Sequence, residues 1–322
     1  MQGSISLTGP ALPRALRLMA YSLFAVVRET APMRRSILHL LLGGMTLAAC
    51  GDGSDVDRSS GAGGSAFACP GDRYVGGGDP SCDTGRGGPM RQIPQAGGGA
   101  MCIDKIEVTV GQYQQFLAAA DKPSLPTSDP AAARCAQDPH REPTCLAEPC
   151  QGAACDLPQP CVSQCDAKIF CEWAGKRLCG PVGSAPLGVD RANLLDPTKN
   201  QWRNACSPDG REWPYGAEYD SQACNTSDRQ PAPCNGPALT ASFPDCQAPD
   251  VEYDQVFDLS GNLFEWVDAS QEGGPSWPDL RCIIMGGSYV QYWGDADCGE
   301  YSTLDWPCDA HHEEFGFRCC SK

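Results

Sequence analysis

Apolar residues recur at helical spacing in three short stretches of the chain, and each stretch follows a polar residue that can cap a helix. The first stretch has the spacing of a capping box, because Thr109 stands three residues before Gln112. The apolar residues after it fall on one helical face: Val110, Tyr113, Phe116, Leu117 and Ala120. The pattern therefore predicts an amphipathic helix that buries this face.

Two further helices are predicted in the same way. One runs over 163–173, and Gly175 is its stop signal. The other opens at Thr198 and turns Trp202 and Ala205 inward.

Short apolar runs predict four strands, each bounded by turn-forming residues. They lie near Cys102–Val108, Val256–Leu259, Cys282–Met285 and Phe315–Cys320. Long segments rich in Pro, Asp and Gly separate these elements, and such loops rarely hold one conformation without a clamp. The pattern thus predicts a loop-rich α+β domain with little regular secondary structure.

The cysteine content indicates disulfides that could clamp these loops, and the net charge argues against binding of nucleic acid. The 322 residues include 21 cysteines, far more than reduced cytosolic proteins carry, so we expect disulfides formed in an oxidising compartment. There are 40 acidic and 24 basic residues, a formal net charge of −16. A surface this negative repels phosphate backbones, so no nucleic acid is expected as a partner.

The connectivity of the cysteines stays open at this point. Cys319 and Cys320 are adjacent, and we expect them to take different partners because a vicinal bridge is strained. Cysteine spacings within 150–171 could also suit a zinc knot, but an exported, Pro-rich stretch favours disulfides.

The N-terminal part resembles a bacterial lipoprotein signal. A positive segment at 33–35 precedes an apolar run at 37–47, which ends in Leu47-Ala48-Ala49-Cys50. The resemblance to a lipobox implies cleavage before Cys50 and lipidation of its thiol. The protein is then held at the membrane of the bacterial cell envelope and faces the periplasm or the cell exterior. The alternatives are an ordinary secretory signal or a buried hydrophobic helix.

Five segments follow from these patterns. Residues 1–32 are interpreted as an over-called start, 33–49 as the lipoprotein signal peptide and 50–68 as a flexible tether. Residues 69–100 form a Gly-rich arm, whose cysteines suggest that it is stapled to itself or to the domain. The globular domain is expected over 101–322.

Several segments of this domain together resemble the formylglycine-generating enzyme family, also called the sulfatase-modifying factor family. The most specific are VFDLSGNLFEW (256–266), MGGSY (285–289) and GFRC (316–319), and they occur in the family's order. The resemblance implies a disulfide-stapled α+β fold related to C-type lectins. We expect Gly261, Gly286 and Gly287 to occupy backbone positions closed to side chains, and Arg318 to meet a buried carboxylate.

The catalytic chemistry of the family depends on two thiols that this chain lacks. The resemblance implies that aerobic members hold Cu(I) with two cysteines at fixed distances after the Ser of the GGS motif, here Ser288. The corresponding positions are Gln291 and Ala296, and Cys298 lies two residues further on. We therefore assign no catalytic residue, treat Ser288, Gln291, Ala296 and Cys298 as a degenerate active-site region, and do not expect copper.

A second branch of the family uses non-haem iron, and one cluster of this chain contains side chains of the ligand type. His311-His312-Glu313-Glu314 are adjacent, and adjacent side chains do not converge easily on one ion. A solvated loop before the last strand is the expected role of this cluster.

Calcium is the one cofactor that the resemblance leaves open, because hard cations bind oxygens in irregular loops. The matching residues are Asn262 and Glu265 at one site and Asn225 at a second. Asn262 could instead be a turn residue, and Glu265 could be the partner of a core arginine.

These observations lead to a membrane-anchored lipoprotein outside the cytoplasm. Its formylglycine-generating-enzyme-like domain is expected to be non-catalytic and to bind a peptide, a glycan or an envelope protein. The alternative is a formylglycine-generating oxidase, or a related metal-dependent oxidase, with a relocated site.

Overall fold

The computed structural model describes residues 77–125, 135–136, 143, 145, 150–183, 187–229, 236–271, 281–292, 295–299 and 304–322. The predicted signal peptide, Cys50 and the tether lie outside these residues. The described strands are β1 (Met90–Pro94), β2 (Ala100–Asp104), β3 (Arg177–Leu178), β4 (Phe264–Gln271), β5 (Arg281–Met285), β6 (Leu304–Pro307), β7 (Phe315–Gly316) and β8 (Cys319–Cys320). The described helices are α1 (Val110–Ala118), α2 (Gln164–Trp173), α3 (Arg191–Leu194) and α4 (Gln201–Cys206), with 3₁₀ turns at Pro80–Cys82 and Gly152–Asp156.

The strands form two four-stranded sheets with the orders β1-β2-β8-β3 and β6-β5-β4-β7. All pairings are antiparallel except β4 with β7, where Phe264 lies opposite Phe315 and Glu265 opposite Gly316. The C-terminal strand β8 lies between β2 and β3, so the end of the chain closes the first sheet. Short elements joined by long loops confirm the loop-rich α+β class.

The second sheet lies between two hydrophobic cores, because side chains alternate across its strands. Phe264 and Trp266 of β4 pack with aromatic residues of α1 and α2 in one core. Val267 and Ala269 pack on the opposite face, with Trp202 of α4 and residues of the first sheet. None of the described helices combines the length and the apolar character that a membrane span requires.

The first two predicted helices are confirmed, with their caps. Thr109 and Gln112 form the capping box of α1, and Ser163 and Asp166 form one at the start of α2. Gly175, just beyond α2, has a φ of 73°, a conformation that glycine adopts without strain. The prediction for Ala120 is wrong, because α1 ends at Ala118 and the Ala120 side chain is exposed.

The third helix begins later than predicted. Its N-cap is Asn200, whose side chain accepts from the Trp202 N–H, and not Thr198. The Thr198 hydroxyl instead donates to Asp196 in an exposed turn. Trp202 and Ala205 are buried as predicted.

Three of the four predicted strands have different limits or do not form. The first is Ala100–Asp104 and not Cys102–Val108, and the last is divided into β7 and β8 because Arg318 turns inward. Residues 256–259 form no strand: Asp258 has a φ of 60°, and the N–H groups of Phe257 and Asp258 donate to two separate segments. The third, Cys282–Met285, is confirmed as β5.

All 18 described cysteines are paired in nine disulfides, and Cys50, Cys69 and Cys234 lie outside the described residues. The pairs are Cys82–Cys102, Cys135–Cys165, Cys145–Cys161, Cys150–Cys155, Cys171–Cys319, Cys179–Cys320, Cys206–Cys298, Cys224–Cys246 and Cys282–Cys308. Cys319 and Cys320 take different partners, as predicted, and the cysteines of 150–171 form disulfides.

The Gly-rich arm is stapled to the domain, since Cys82 pairs with Cys102. Its residues 90–94 also form β1, which pairs with β2 along its whole length. The folded domain therefore includes the described part of the arm and does not begin at residue 101. The glycine content of the arm predicted a segment separate from the domain. In the structure, strand pairing and a disulfide hold the arm to the domain.

Candidate functional site

The degenerate active-site region begins at a tight turn after β5. Gly286 and Gly287 have φ values of 94° and 74°, which only glycine adopts readily. A side chain at 287 would lie 2.7 Å from the Ala296 backbone, and one at 286 would lie 3.0 Å from the Trp202 ring. These glycines, like Gly261, stand where side chains cannot fit, as predicted. Because Gly287 has no side chain, Ala296 of the following loop packs directly against this turn.

Gln291, which the resemblance matches to the first thiol position, is part of a hydrogen-bonded cluster. Its Oε1 accepts from the Ser288 backbone N–H at 2.8 Å and lies 2.7 Å from Ser288 Oγ. Ser288 Oγ also lies 2.6 Å from Glu314 Oε2. The Gln291 carbonyl accepts from the backbone and side chain of Ser227. Gln291 therefore holds the loop through hard oxygen contacts, which Cu(I) does not select.

Ala296, at the second thiol position, is buried and structural. Its methyl group and backbone lie against Gly287, and its carbonyl accepts from the Ser260 hydroxyl. A methyl group offers no electron pair to a metal. Neither position that the family uses for a thiol can supply one here.

Cys298 is equally closed to metal chemistry. It is fully buried and forms a disulfide with Cys206 at the end of α4. A disulfide sulfur carries no thiolate charge, and the thiolate is the form that binds metal. The bridge links the loop of the degenerate active-site region to α4, in the core that contains Trp202.

Exposed apolar side chains stand next to Gln291 in the chain and on β6. Val290 and Tyr292 flank it and are 41% and 43% exposed, and Trp306 on β6 is 37% exposed. Trp306 is connected to the cluster through its ring contact with His312, whose Nδ1 accepts from the Glu314 N–H. We call this surface the Gln291 face and define it by Val290, Gln291, Tyr292, Trp306, Glu313 and Glu314.

The Gln291 face has negative potential. Burial together with the charges of Glu313 and Glu314 raises the pKa of Tyr289 to about 12, because ionisation would place a third negative charge beside them. These carboxylates thus lie close enough to act on the edge of the face.

The cluster His311-His312-Glu313-Glu314 does not converge on one point. His311 Nε2 lies 3.2 Å from Asp166 Oδ2 at the start of α2, and His312 packs between Trp306 and Phe315. Glu314 turns towards Ser288. Among the residues that the structure describes, no group of three or more His, Cys, Asp or Glu side chains could hold a metal ion.

Asn262, one of the predicted calcium ligands, accepts hydrogen bonds from N–H groups of the protein. Asn262 Oδ1 accepts from Asn225 Nδ2 at 3.0 Å and from the Ala238 N–H at 2.8 Å, and Asn262 Nδ2 donates to Glu107. Asn262 has a φ of 59°, which suits its alternative role as a turn residue. Oxygens that accept from N–H groups do not fit a calcium shell. Asn225 Oδ1, buried and without a hydrogen bond from the described residues, still leaves calcium as a prediction.

Glu265 is the partner of a core arginine. Arg318 donates to both of its carboxylate oxygens at 2.6–3.0 Å, and Trp202 Nε1 donates to Oε2 at 2.9 Å. Arg318 also donates to the carbonyls of Asp104 and Phe257, so its fork joins both sheets and a loop. Glu265 therefore does not fit a calcium site, and the expectation for Arg318 is confirmed.

Two further buried carboxyls lie close to this pair. Burial raises the pKa of Asp258 to about 7, against the opposing effects of the Ala241 N–H and of Arg318. Burial, with the charges of Asp258 and Glu265, also raises the pKa of Glu107 well above its usual range. Sequence reasoning missed both carboxyls, although Asp258 stands inside the family segment 256–266.

Sequence reasoning also missed Val290, Tyr292 and Trp306. A signal that could have found the first two is their position on either side of Gln291. Trp306 carried no such signal, because only the pairing of β6 with β5 brings it to this side.

Fold and site together define a disulfide-stapled α+β domain in which Gln291 and Ala296 offer no thiol. The chain belongs to the sulfatase-modifying factor enzyme 1-like domain family, whose model matches residues 66–322.

Among curated proteins, the chain is similar to the inactive C-alpha-formylglycine-generating enzyme 2 of Bos taurus and of Mus musculus. Each is 24% identical over 179 residues, which are 52% of this chain and 50% and 49% of the relatives. The chain thus spans about half the length of the curated relatives it matches.

Among solved structures, the chain is similar to CarF, with 17% identity and a TM-score of 0.43 over 73% of this chain and 96% of that one. It is also similar to PvdO from Pseudomonas aeruginosa, with 17% identity and a TM-score of 0.42 over 73% and 91%.

Proposed function

We propose that this protein is a non-catalytic member of its family, and that its domain binds a peptide, a glycan or an envelope protein through the Gln291 face. The observation that carries the proposal is the chemistry at the two thiol positions. Gln291 is held by Ser288, Ala296 is buried against Gly287, and the nearby Cys298 is bonded to Cys206. A relocated copper site would need a reduced pair of thiols, and the described cysteines contain none.

The curated relatives support this proposal, since both carry the word inactive in their names. Their similarity covers only half of each, so it supports loss of the oxidase chemistry and does not identify a partner.

The disulfides support a location outside the cytoplasm, because reducing compartments do not maintain such a set. We propose that Cys50 carries a lipid and that residues 50–68 hold the domain at a distance from a bacterial membrane. Labelling with a radioactive fatty acid tests the anchor: wild type should incorporate the label and Cys50→Ala should not.

Intact mass after alkylation under denaturing, non-reducing conditions tests the loss of catalysis. We expect no alkyl groups on the domain, and a reduced sample of the same protein serves as the positive control for labelling. A parallel incubation with a sulfatase peptide, copper and oxygen should leave the peptide cysteine unchanged. Two alkyl groups together with an oxidised peptide would establish the oxidase instead.

A further inference from the structure

Most of the large exposed apolar side chains of the described residues belong to the Gln291 face. Four large ones are more than a third exposed, and three of them, Val290, Tyr292 and Trp306, belong to the Gln291 face. Concentrated apolar exposure on a protein surface marks an interaction site. The fourth, Val251, lies alone in a different loop.

The Trp306 ring is held in position by its neighbours. Its centroid lies 5.1 Å from that of Phe315, at an angle of 70°, and 6.0 Å from that of His312. Phe315 is buried, so it anchors the ring from below. A fixed aromatic ring can bind a ligand with little loss of side-chain freedom.

The described basic residues on this sheet and beside this ring pair with other carboxylates. Arg281, the nearest basic residue on the same sheet, pairs with Asp305 at 3.0 Å, and His311 pairs with Asp166. Glu313 is exposed, and Glu314 has only Ser288 and, at 3.8 Å, His312 beside it. No described lysine or arginine pairs with either glutamate. The whole chain adds to this field with its net charge of −16.

We propose that the Gln291 face binds a basic segment of a partner protein, with a lysine or arginine side chain over Trp306 and Glu313 and Glu314 as its counter-charges. Cations are attracted to the face of an indole ring, and adjacent carboxylates strengthen that attraction. The raised pKa of Tyr289 supports the negative potential that such a segment would neutralise. This inference deepens the proposed function and rests on it.

Charge decides between a basic protein segment and a glycan. A neutral sugar could lie on Trp306 and donate hydroxyl hydrogen bonds to Glu313 and Glu314, but it would leave their charge unneutralised, and an acidic glycan would be repelled. A basic segment uses both the ring and the carboxylates.

The test is the affinity of the whole protein for a fluorescein-labelled peptide of five Arg-Gly repeats, measured by anisotropy. We expect Trp306→Leu and Glu313→Gln each to raise Kd by about fivefold or more. Glu252→Gln is the matched control, because it removes one exposed charge from the loop of Val251. It should change Kd by less than twofold. Added salt should weaken binding to the wild type.

Four outcomes would overturn the inference. Equal weakening by Glu252→Gln and Glu313→Gln would mean that net charge alone attracts the peptide. Unchanged binding in both Glu313→Gln and Trp306→Leu would move the site elsewhere. Binding of chitohexaose without binding of the peptide would establish a glycan site. If the peptide does not bind but the protein still has no free thiol, this inference fails alone and the loss of catalysis stands.

Discussion

At the scale of single residues, the most specific family signals describe the buried charges of the fold. Glu265 of the GNLFEW segment and Arg318 of GFRC form one pair inside the domain. Breaking such a pair leaves an uncompensated charge, whereas the intact pair is satisfied by its hydrogen bonds. These two motifs therefore identified the fold, and information about catalysis came only from the positions that follow the GGS motif.

Asp258 makes the stability of the domain depend on pH. Its pKa is raised to about 7 in the folded protein, whereas an unfolded Asp titrates near about 3.9. The folded state thus binds the proton more tightly, so its contribution to stability is full below about pH 4 and is lost as pH rises through about 7. We expect Asp258→Asn to lose less stability than the wild type between these values.

Urea unfolding at several pH values measures this effect. Asn tolerates the positive φ at this position, so the variant should fold. Asp245→Asn, on the surface, is the control and should keep the wild-type pH profile. An Asp258→Asn profile as steep as that of the wild type would show that another group carries the dependence.

At the scale of elements, helix starts were predicted correctly where a capping box was present and less well elsewhere. Thr109 and Ser163 stand three residues before a side chain that completes the box. The third helix has a simple Asn cap, and Thr198 two residues earlier offered the same chemistry. A single cap residue does not determine a boundary, because tertiary contacts select between neighbouring candidates.

The cap of α4 can be tested directly. Asn200→Ala removes the bond to the Trp202 N–H and the bond from Asn200 Nδ2 to the Leu194 carbonyl, both buried. We expect a loss of about 2 kcal/mol or more in the free energy of unfolding. Thr198→Ala, which was the predicted cap, should cost about 0.5 kcal/mol or less because Thr198 is exposed. Equal losses in the two variants would contradict the assignment.

At the scale of the whole molecule, the disulfides compensate for the small amount of regular structure. Cys171–Cys319 and Cys179–Cys320 tie α2 and β3 to the C-terminal strand across 148 and 141 residues. Cys206–Cys298 does the same for the degenerate site across 92 residues. A disulfide that closes a long stretch of chain lowers the entropy of the unfolded state most. These bridges therefore favour the folded arrangement of the long surface loops.

Removing disulfides of different span should show this restriction. In the chain-entropy relation, loss of Cys206–Cys298 by two Cys→Ser changes costs about 4–5 kcal/mol, and loss of Cys150–Cys155, which closes five residues, costs about 2 kcal/mol. Denaturant unfolding of the two double variants measures the difference. A larger loss for the short-range pair would mean that local packing, and not chain restriction, dominates.

The sequence by itself determined the family, the α+β class, the first two helices and the absence of both thiols, because these depend on residue identity and local spacing. Tertiary structure decided which cysteines pair, where Glu265 and Arg318 meet, and that the Trp306 ring contacts His312 and Phe315. These depend on residues that are distant along the chain, and local patterns carry no information about which distant segments pack together. The proposed binding function lies mostly in that second group, since a binding face is formed by side chains from several elements.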